Sequence, residues 1–394
     1  MPVLDGIRVI DASRILAGPH CGQMLADNGA EVIKVEAIEG DQNRKWPPVA
    51  EGAGVNFLSV NRGKQGISLN LKNPKGQELL RQLVATSDIY IQNFLPPVTA
   101  RLGTDYETLS NINPDLIYVS ITGYGARGPL RNHPGFGATA SAFSGIMHMT
   151  GEPDGPPLNP GLPFVDMATG MLAYAGAVTA LVARMSGKAR GQRVDVSLVE
   201  TSVALLGPTA LNWMIAGLHP IREGAFNQKL APYGPYHCQD ADIMIGVPND
   251  GAWRKLCQAI GAPDLEQDPR FSTNALRSSN RIELRKLLEA VLEKATVKHW
   301  FDRLGATGVA CAPINSIDRV CTDEQVLAND MVVQVPRRDG GTMPLIGLPL
   351  KLSATPGKPG KAPPALGEDT DGVLRRLLSL DDEALATLHR DGVI

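Results

Sequence analysis

LDGIRVIDASRILAGPHCGQMLADNGAEVIKVE, residues 4–36, holds two β-rich apolar runs, Ile7 to Asp11 and Glu31 to Glu36, on either side of a helical pattern near Gly22 to Asn28 that Gly29 closes. Strand, helix, strand over so short a span predicts two parallel strands joined by a crossover helix, because a tight turn joins only antiparallel ones. The pattern continues outward. Strand signals recur at Gly66 to Leu71, Asp88 to Gln92 and Leu116 to Thr122. Between the first two of these lies a helix from Pro74 to Thr86, opened by Asn73-Pro74 as cap and first turn. The expectation is an α/β chain whose large domain is Rossmann-like with a mainly parallel sheet.

Further along, residues 167–183, MATGMLAYAGAVTALVA, carry no charge between Asp166 and Arg184. The run is rich in Ala, Gly and Thr and shorter than the roughly 20 strongly apolar residues of a membrane span, which predicts a buried helix. Residues 201–221 are also uncharged but are interrupted by Gly207, Pro208 and Pro220, and they read as a second core helix. From Glu223 the composition turns polar. A strand at Ala241 to Val247 and helices at Asp250 to Ile260, Arg281 to Lys294 and Val297 to Leu304 predict a smaller α/β domain. The expected boundaries are 1–222, completed by 331–394, for the large domain and 223–330 for the small one. SATPGKPGKAPP, residues 353–364, predicts an irregular connection to a C-terminal helical tail.

The 394 residues carry 38 basic and 41 acidic side chains, a formal charge of −3. That balance gives no global field to hold nucleic acid or an anionic membrane, so an anionic ligand must be met by local cations. Five cysteines, at 21, 238, 257, 311 and 321, are scattered and never form C-x-x-C. With an N-terminus lacking a basic flank and apolar h-region, they predict a cytoplasmic protein.

Most chemical motifs fail. GYGARG at 123–128 matches G-x-G-x-x-G, but the following PLRNHPGFG cannot open the helix that a dinucleotide pyrophosphate needs, so it reads as a turn. There is no P-loop and no G-x-S-x-G elbow. The seven histidines make no H-E-x-x-H pair and meet no cysteine at zinc spacing, so no metal site is expected.

Seven segments in order resemble the family III CoA-transferases, the group that includes formyl-CoA transferase and the carnitine and dicarboxylate CoA-transferases. Besides residues 4–36 they are NRGKQGISLNLKNPKG at 61–76, QNFLPPVTARLG at 92–103, ITGYGARGP at 121–129, PFVDMATGMLAYAGAVTAL at 163–181, GKARGQRVDVSLVET at 187–201 and ALGEDTDGVL at 365–374. The resemblance implies a nucleophilic aspartate in a D-x-x-x-G turn, here Asp166 with Gly170. Read from the residues alone, Asp166 suits either of two roles: a helix N-cap, or a carboxylate kept ionised by the helix dipole. By the same resemblance Arg14, Leu16, Ala17, Leu69, Lys72, Asn93, Phe94 and Arg101 are expected to contact CoA, which acts as substrate with no permanently bound cofactor. A Gly-bearing loop near Gly234 is the expected source of oxyanion donors. The family's fold further implies an interlocked homodimer.

Two departures stand out: Ala37 follows the second strand where a basic residue is common, and Gln65 replaces a frequent Arg or Ser. The overall pattern is most similar to members that use dicarboxylic acids, which implies succinyl-CoA or a similar donor and an acceptor such as itaconate, hydroxymethylglutarate, glutarate or malate. Arg14 or Arg131 is the expected cation for the distal carboxylate. Two rival readings remain. An α-methylacyl-CoA racemase pairs its aspartate with a histidine in G-H-D, where this chain has Gly135-Phe136-Gly137, and Phe136 cannot carry a proton. A non-catalytic CoA-binding protein would have no need of Asp166.

Overall fold

The computed structural model describes residues 1–394, and the first strand, helix and strand form as the sequence predicts. Six strands build the main sheet: β1 (Arg8–Asp11), β2 (Glu31–Glu36), β3 (Gln65–Ser68), β4 (Ile89–Gln92), β5 (Ile117–Thr122) and β6 (Gln192–Ser197). They pair in the order β3-β2-β1-β4-β5-β6, and every pairing is parallel. The helices that concern the site are α1 (Ala17–Asp27), α2 (Pro74–Ala85), α3 (Pro96–Leu102), α4 (Gly137–Ser144), α5 (Phe164–Met185) and α6 (Leu198–Leu205).

Alternate residues of each strand serve opposite faces, and both faces are covered. Val9, Val32, Ile89, Ile91, Ile117 and Val119 pack with Cys21 and Leu25 of α1 and with Ala173, Ala177 and Leu181 of α5. Ile10, Ile33, Tyr90 and Tyr118 pack on the other side with Leu79, Leu80 and Leu83 of α2. That second layer is completed by Val373, Leu374, Leu385 and Leu388 from the C-terminal helices Thr370–Leu378 and Asp382–Arg390. Within the fold Asp27 and Arg62 are both buried and form a two-armed ion pair at 2.6 and 2.9 Å, which fastens α1 to the segment before β3.

Several expectations are met. Asn73 caps α2 through its side chain, which accepts from the Lys75 N–H, and Gly29 leaves α1 at φ +102°. α5 is long and apolar enough to cross a membrane by length and composition, yet Ala173, Ala177, Ala180 and Leu181 lie in the core. GYGARG follows β5 as an irregular turn, and the next helix begins only at Gly137.

Others are corrected. α1 begins at Ala17, ahead of the expected Gly22, because Pro19 sits in its first turn, where no N–H is required. β6 carries no strand signal in the sequence reading: it is an edge strand that alternates exposed and half-buried residues, and only Ser197 is buried. The second uncharged run is not one core helix. It splits into α6 and a helix at Pro208–Met214, parted by Gly207 at φ +46°, and the latter helix buries no residue.

The chain divides into two units. The first comprises Met1–Ile146, Pro160–Pro208 and Glu324–Ile394 and contains the six-stranded sheet. The second comprises Met147–Asn159 and Thr209–Asp323. It takes in a stretch far upstream of the compositional change at 223, because Gly224 N–H donates to the Gly151 carbonyl and the Arg222 guanidinium reaches the carbonyls of His148 and Glu152. Its own sheet is antiparallel, with Asp242–Gly246 between Tyr233–His237 and Ala310–Pro313. Trp253, Leu256, Leu284, Leu288 and Trp300 fill its core.

Candidate active site

Each of the six parallel strands ends at one cavity of about 770 Å³ in the first unit. Residues just beyond β1 (Ala12–Ala17), β2 (Ala37–Gln42), β3 (Asn70–Lys72), β4 (Asn93–Leu95), β5 (Gly123) and β6 (Leu198) all line it. The strand order reverses between β1 and β4, and an open parallel sheet offers its ligand crevice at such a switch point. Pro134–Phe136, ahead of α4, and Asp166, in the first turn of α5, close the remaining wall.

Of the residues predicted to meet a ligand, Arg14, Leu16, Ala17, Lys72, Asn93, Phe94, Arg101 and Asp166 line this cavity together. Leu69 does not. It is fully buried in the core beside α2, and its N–H donates to the Glu36 carbonyl, so its apolar character serves the sheet. Arg14, Lys72 and Arg101 place exposed cations on the wall, as an anionic ligand in a protein of near-neutral charge requires. Asn93 spends its side chain on the protein: Oδ1 accepts from Arg14 N–H and Nδ2 donates to the Arg14 carbonyl, both at 2.9 Å. The adjacent Phe94 carries the Arg14 guanidinium over its ring at 4.8 Å.

Asp166 is not the cap of α5, since that position is Pro163. Nor does the helix dipole set its acidity. Burial raises its carboxyl to about 6, and the hydrogen bond from its own N–H offsets this only in part. Glycines make the room it occupies. A Cβ on Gly137 would lie 2.1 Å from Asp166 Oδ2, and one on Gly170 would lie 2.6 Å from the Ala17 carbonyl and 3.0 Å from the His20 ring. Gly170 therefore lets α1 and α5 touch one turn below the carboxylate, while Gly137 lets the carboxylate rest against the start of α4. His20 at that contact is buried and kept neutral, its pKa pushed down to about 4 by burial and by Lys64 and Arg62.

The Gly234 segment is a strand, Tyr233–His237, rather than a loop, and the ring of Phe226 occupies the space beside Gly234. The cavity holds another source of donors: α1 begins there with no side-chain cap. Phe136 occupies the wall with Asp166, while His133 stacks edge-on against Tyr124 and does not line the cavity. Sequence reasoning passed over Glu39, Asp41, Gly123 and Gly137. The residues just past predicted strand ends would have found the first three, but Gly137 carries no such signal.

Beneath the loop after β1 lies a charged cluster. Burial alone would raise the Asp11 carboxyl, but Lys34 and Lys64 outweigh it and hold the group below its ordinary range. Lys64 Nζ donates to Asp11 at 2.8 Å, to the Pro19 carbonyl at 2.7 Å and to Asn61 at 2.9 Å; burial pushes its pKa down to about 8.

Comparison with known proteins adds a separate line of findings. Residues 4–370 match the model of CoA-transferase family III. The chain is 36% identical over 396 residues to succinyl-CoA:glutarate CoA-transferase of Mus musculus, covering 100% of this chain and 91% of that one. It is 38% identical over 392 residues to succinate–glutarate CoA-transferase of Agrobacterium fabrum, covering 97% and 98%. A CAIB/BAIF family protein from Brucella suis superposes with a TM-score of 0.87 at 36% identity, covering 95% of this chain and 99% of that one.

Proposed function

The chain belongs to CoA-transferase family III and is a CoA-transferase, and we propose that it moves CoA from succinyl-CoA to a dicarboxylic acid such as glutarate through Asp166. One observation carries this reading: a partly buried carboxylate shares a cavity with three exposed cations at the sheet's switch point. The cations Lys72 and Arg101 suit the phosphates of CoA, and Phe94 adds an apolar ring that carries Arg14.

The ionised Asp166 attacks the thioester carbonyl, giving a mixed anhydride and the CoA thiolate. The thiolate then attacks the aspartyl carbonyl, forming an aspartyl-CoA thioester and releasing the donor acid. The acceptor carboxylate attacks that thioester, and the two steps run in reverse order to give the new acyl-CoA and free Asp166. Uncapped N–H groups in the first turn of α1 suit the developing oxyanions. Arg14 rather than Arg131 suits the distal carboxylate, since Arg131 is exposed and outside the lining. Arg14→Ala is expected to raise the acceptor KM far more for dicarboxylates than for monocarboxylates.

The raised pKa of Asp166 makes a pH prediction. Only the carboxylate is a nucleophile, so the rate should be level above pH 6 and fall about tenfold per unit below it. A pH profile of single-turnover anhydride and thioester formation checks this, and a limb near 4 would show that burial does not govern the group.

The decisive experiment incubates the protein in D₂O with succinyl-CoA, a chiral 2-methylacyl-CoA and a mixture of free acids, then reads every thioester by mass spectrometry. New thioesters at the expense of succinyl-CoA are expected. Deuterium entering the methylacyl-CoA without new thioesters would overturn transfer in favour of racemisation. We further infer a homodimer from exposed apolar side chains: Met171, Leu172, Val182 and Met185 on α5, and separately Trp213, Met214 and Ile215 in the second unit. Sedimentation should give twice the chain mass.

A further inference from the structure

The loop between β1 and α1 has an unusual feature in its backbone. Six polar groups belong to the main chain of Ser13, Arg14 and Ile15, and each is met by a side chain. Ser13 N–H donates to Asp11 Oδ1 at 3.0 Å, and its carbonyl accepts from Lys34 Nζ. Arg14 is paired both ways by Asn93. Ile15 N–H donates to Asp41 Oδ2 at 3.0 Å, and its carbonyl accepts from Asn43 Nδ2 at 2.6 Å.

This clamp holds something that would otherwise relax. Ile15 is β-branched yet sits at φ +70°, a left-handed conformation that such residues avoid and that persists only where the surroundings over-determine it. Asn43 is fully buried, lies outside the cavity lining and donates a hydrogen bond to the Ile15 carbonyl, so it acts on the ligand site through another residue.

We propose that Asp41, Asn43, Lys34 and Asn93 are positioning residues that lock Ser13–Ile15 in its ligand-ready shape before CoA arrives. This rests on the reading of the cavity as the CoA site. A loop already in its bound conformation contributes no ordering cost on binding, whereas a loop that visits that conformation only part of the time weakens apparent affinity by the same fraction. The clamp also consumes the backbone, so Arg14 and Ile15 are left to meet a ligand with side chains alone.

Hydrogen exchange of the peptide spanning the loop, with and without CoA, together with CoA titration calorimetry, tests this. In the wild-type protein the loop amides should be protected without CoA, and CoA should change them little. In Asn43→Ala they should exchange fast without CoA and recover with it, and the Kd for CoA should rise about tenfold. Ile15→Gly, which tolerates the left-handed conformation, should shrink the effect of Asn43→Ala on Kd. Wild-type loop amides that exchange fast until CoA is added would overturn the proposal without needing any variant. So would an unchanged Kd in Asn43→Ala, or an equal rise with and without Ile15→Gly. If the wild-type protein failed to bind CoA at all, the reading of the cavity would fall first.

Discussion

Asp166→Asn should abolish CoA transfer, with a loss of at least about 10⁴-fold in kcat, because the neutral amide cannot act as the covalent nucleophile. Mass spectrometry should find no CoA adduct on the variant, and residual activity within tenfold of wild type would remove Asp166 from the mechanism. The same variant should be more stable at neutral pH. The Asp166 carboxyl is raised from 3.8 to about 6 in the folded chain, so between those values the folded state binds the extra proton and stability falls as pH rises. Above pH 6 the buried charge costs on the order of 1–3 kcal/mol, the lower part of that range allowing for its partial exposure. Asparagine removes that cost. Chemical denaturation at pH 7.5 should show the gain, and at pH 4, where the wild-type group is protonated, most of it should vanish.

Gly137→Ala is the second large effect, and it should act on rate rather than affinity. The new methyl would lie 2.1 Å from Asp166 Oδ2 and 3.1 Å from its Cγ, so the carboxylate must leave its place against α4. A displacement near 1 Å is enough to cost about 10²-fold in kcat when reacting groups are otherwise aligned. Gly137 is not among the residues that line the cavity, so the Kd for CoA should change little. A parallel rise in Kd with unchanged kcat would mean that the methyl disturbs the cavity wall and leaves the nucleophile in place. Gly137→Asp should go further, since a second carboxylate would raise the pKa of Asp166 and move the pH limb upward.

Much of this was legible in the residues because the signals were local. β-rich apolar runs marked β1 to β5, and Asn73-Pro74 marked the start of α2, since each depends on neighbours in sequence. The strand β6 escaped because it alternates exposed and half-buried residues and so carries no apolar run, unlike the other edge strand, β3. For the site, family likeness gathered Arg14, Asn93 and Asp166, but it assigned Leu69 to the ligand and gave Asn93 no structural duty. Those two differ for one reason: whether a side chain faces the cavity or the core is decided by pairing across the sheet, and Asn93 meets Arg14 across 79 positions of chain. The acidity of Asp166 was misjudged because a helix dipole can be read from sequence, whereas burial depends on what the rest of the chain places on top.

The second covering layer of the sheet has a consequence for biogenesis. Ile33, Val35 and Ile67 are synthesised early, yet the helices that cover them lie beyond residue 369, and Asp369 accepts from Gly66 N–H across 303 positions. On the ribosome that apolar face must wait for most of the chain. Such non-local closure slows folding and leaves a sticky intermediate, so the growing polypeptide should depend on chaperone cover until its distal helices emerge.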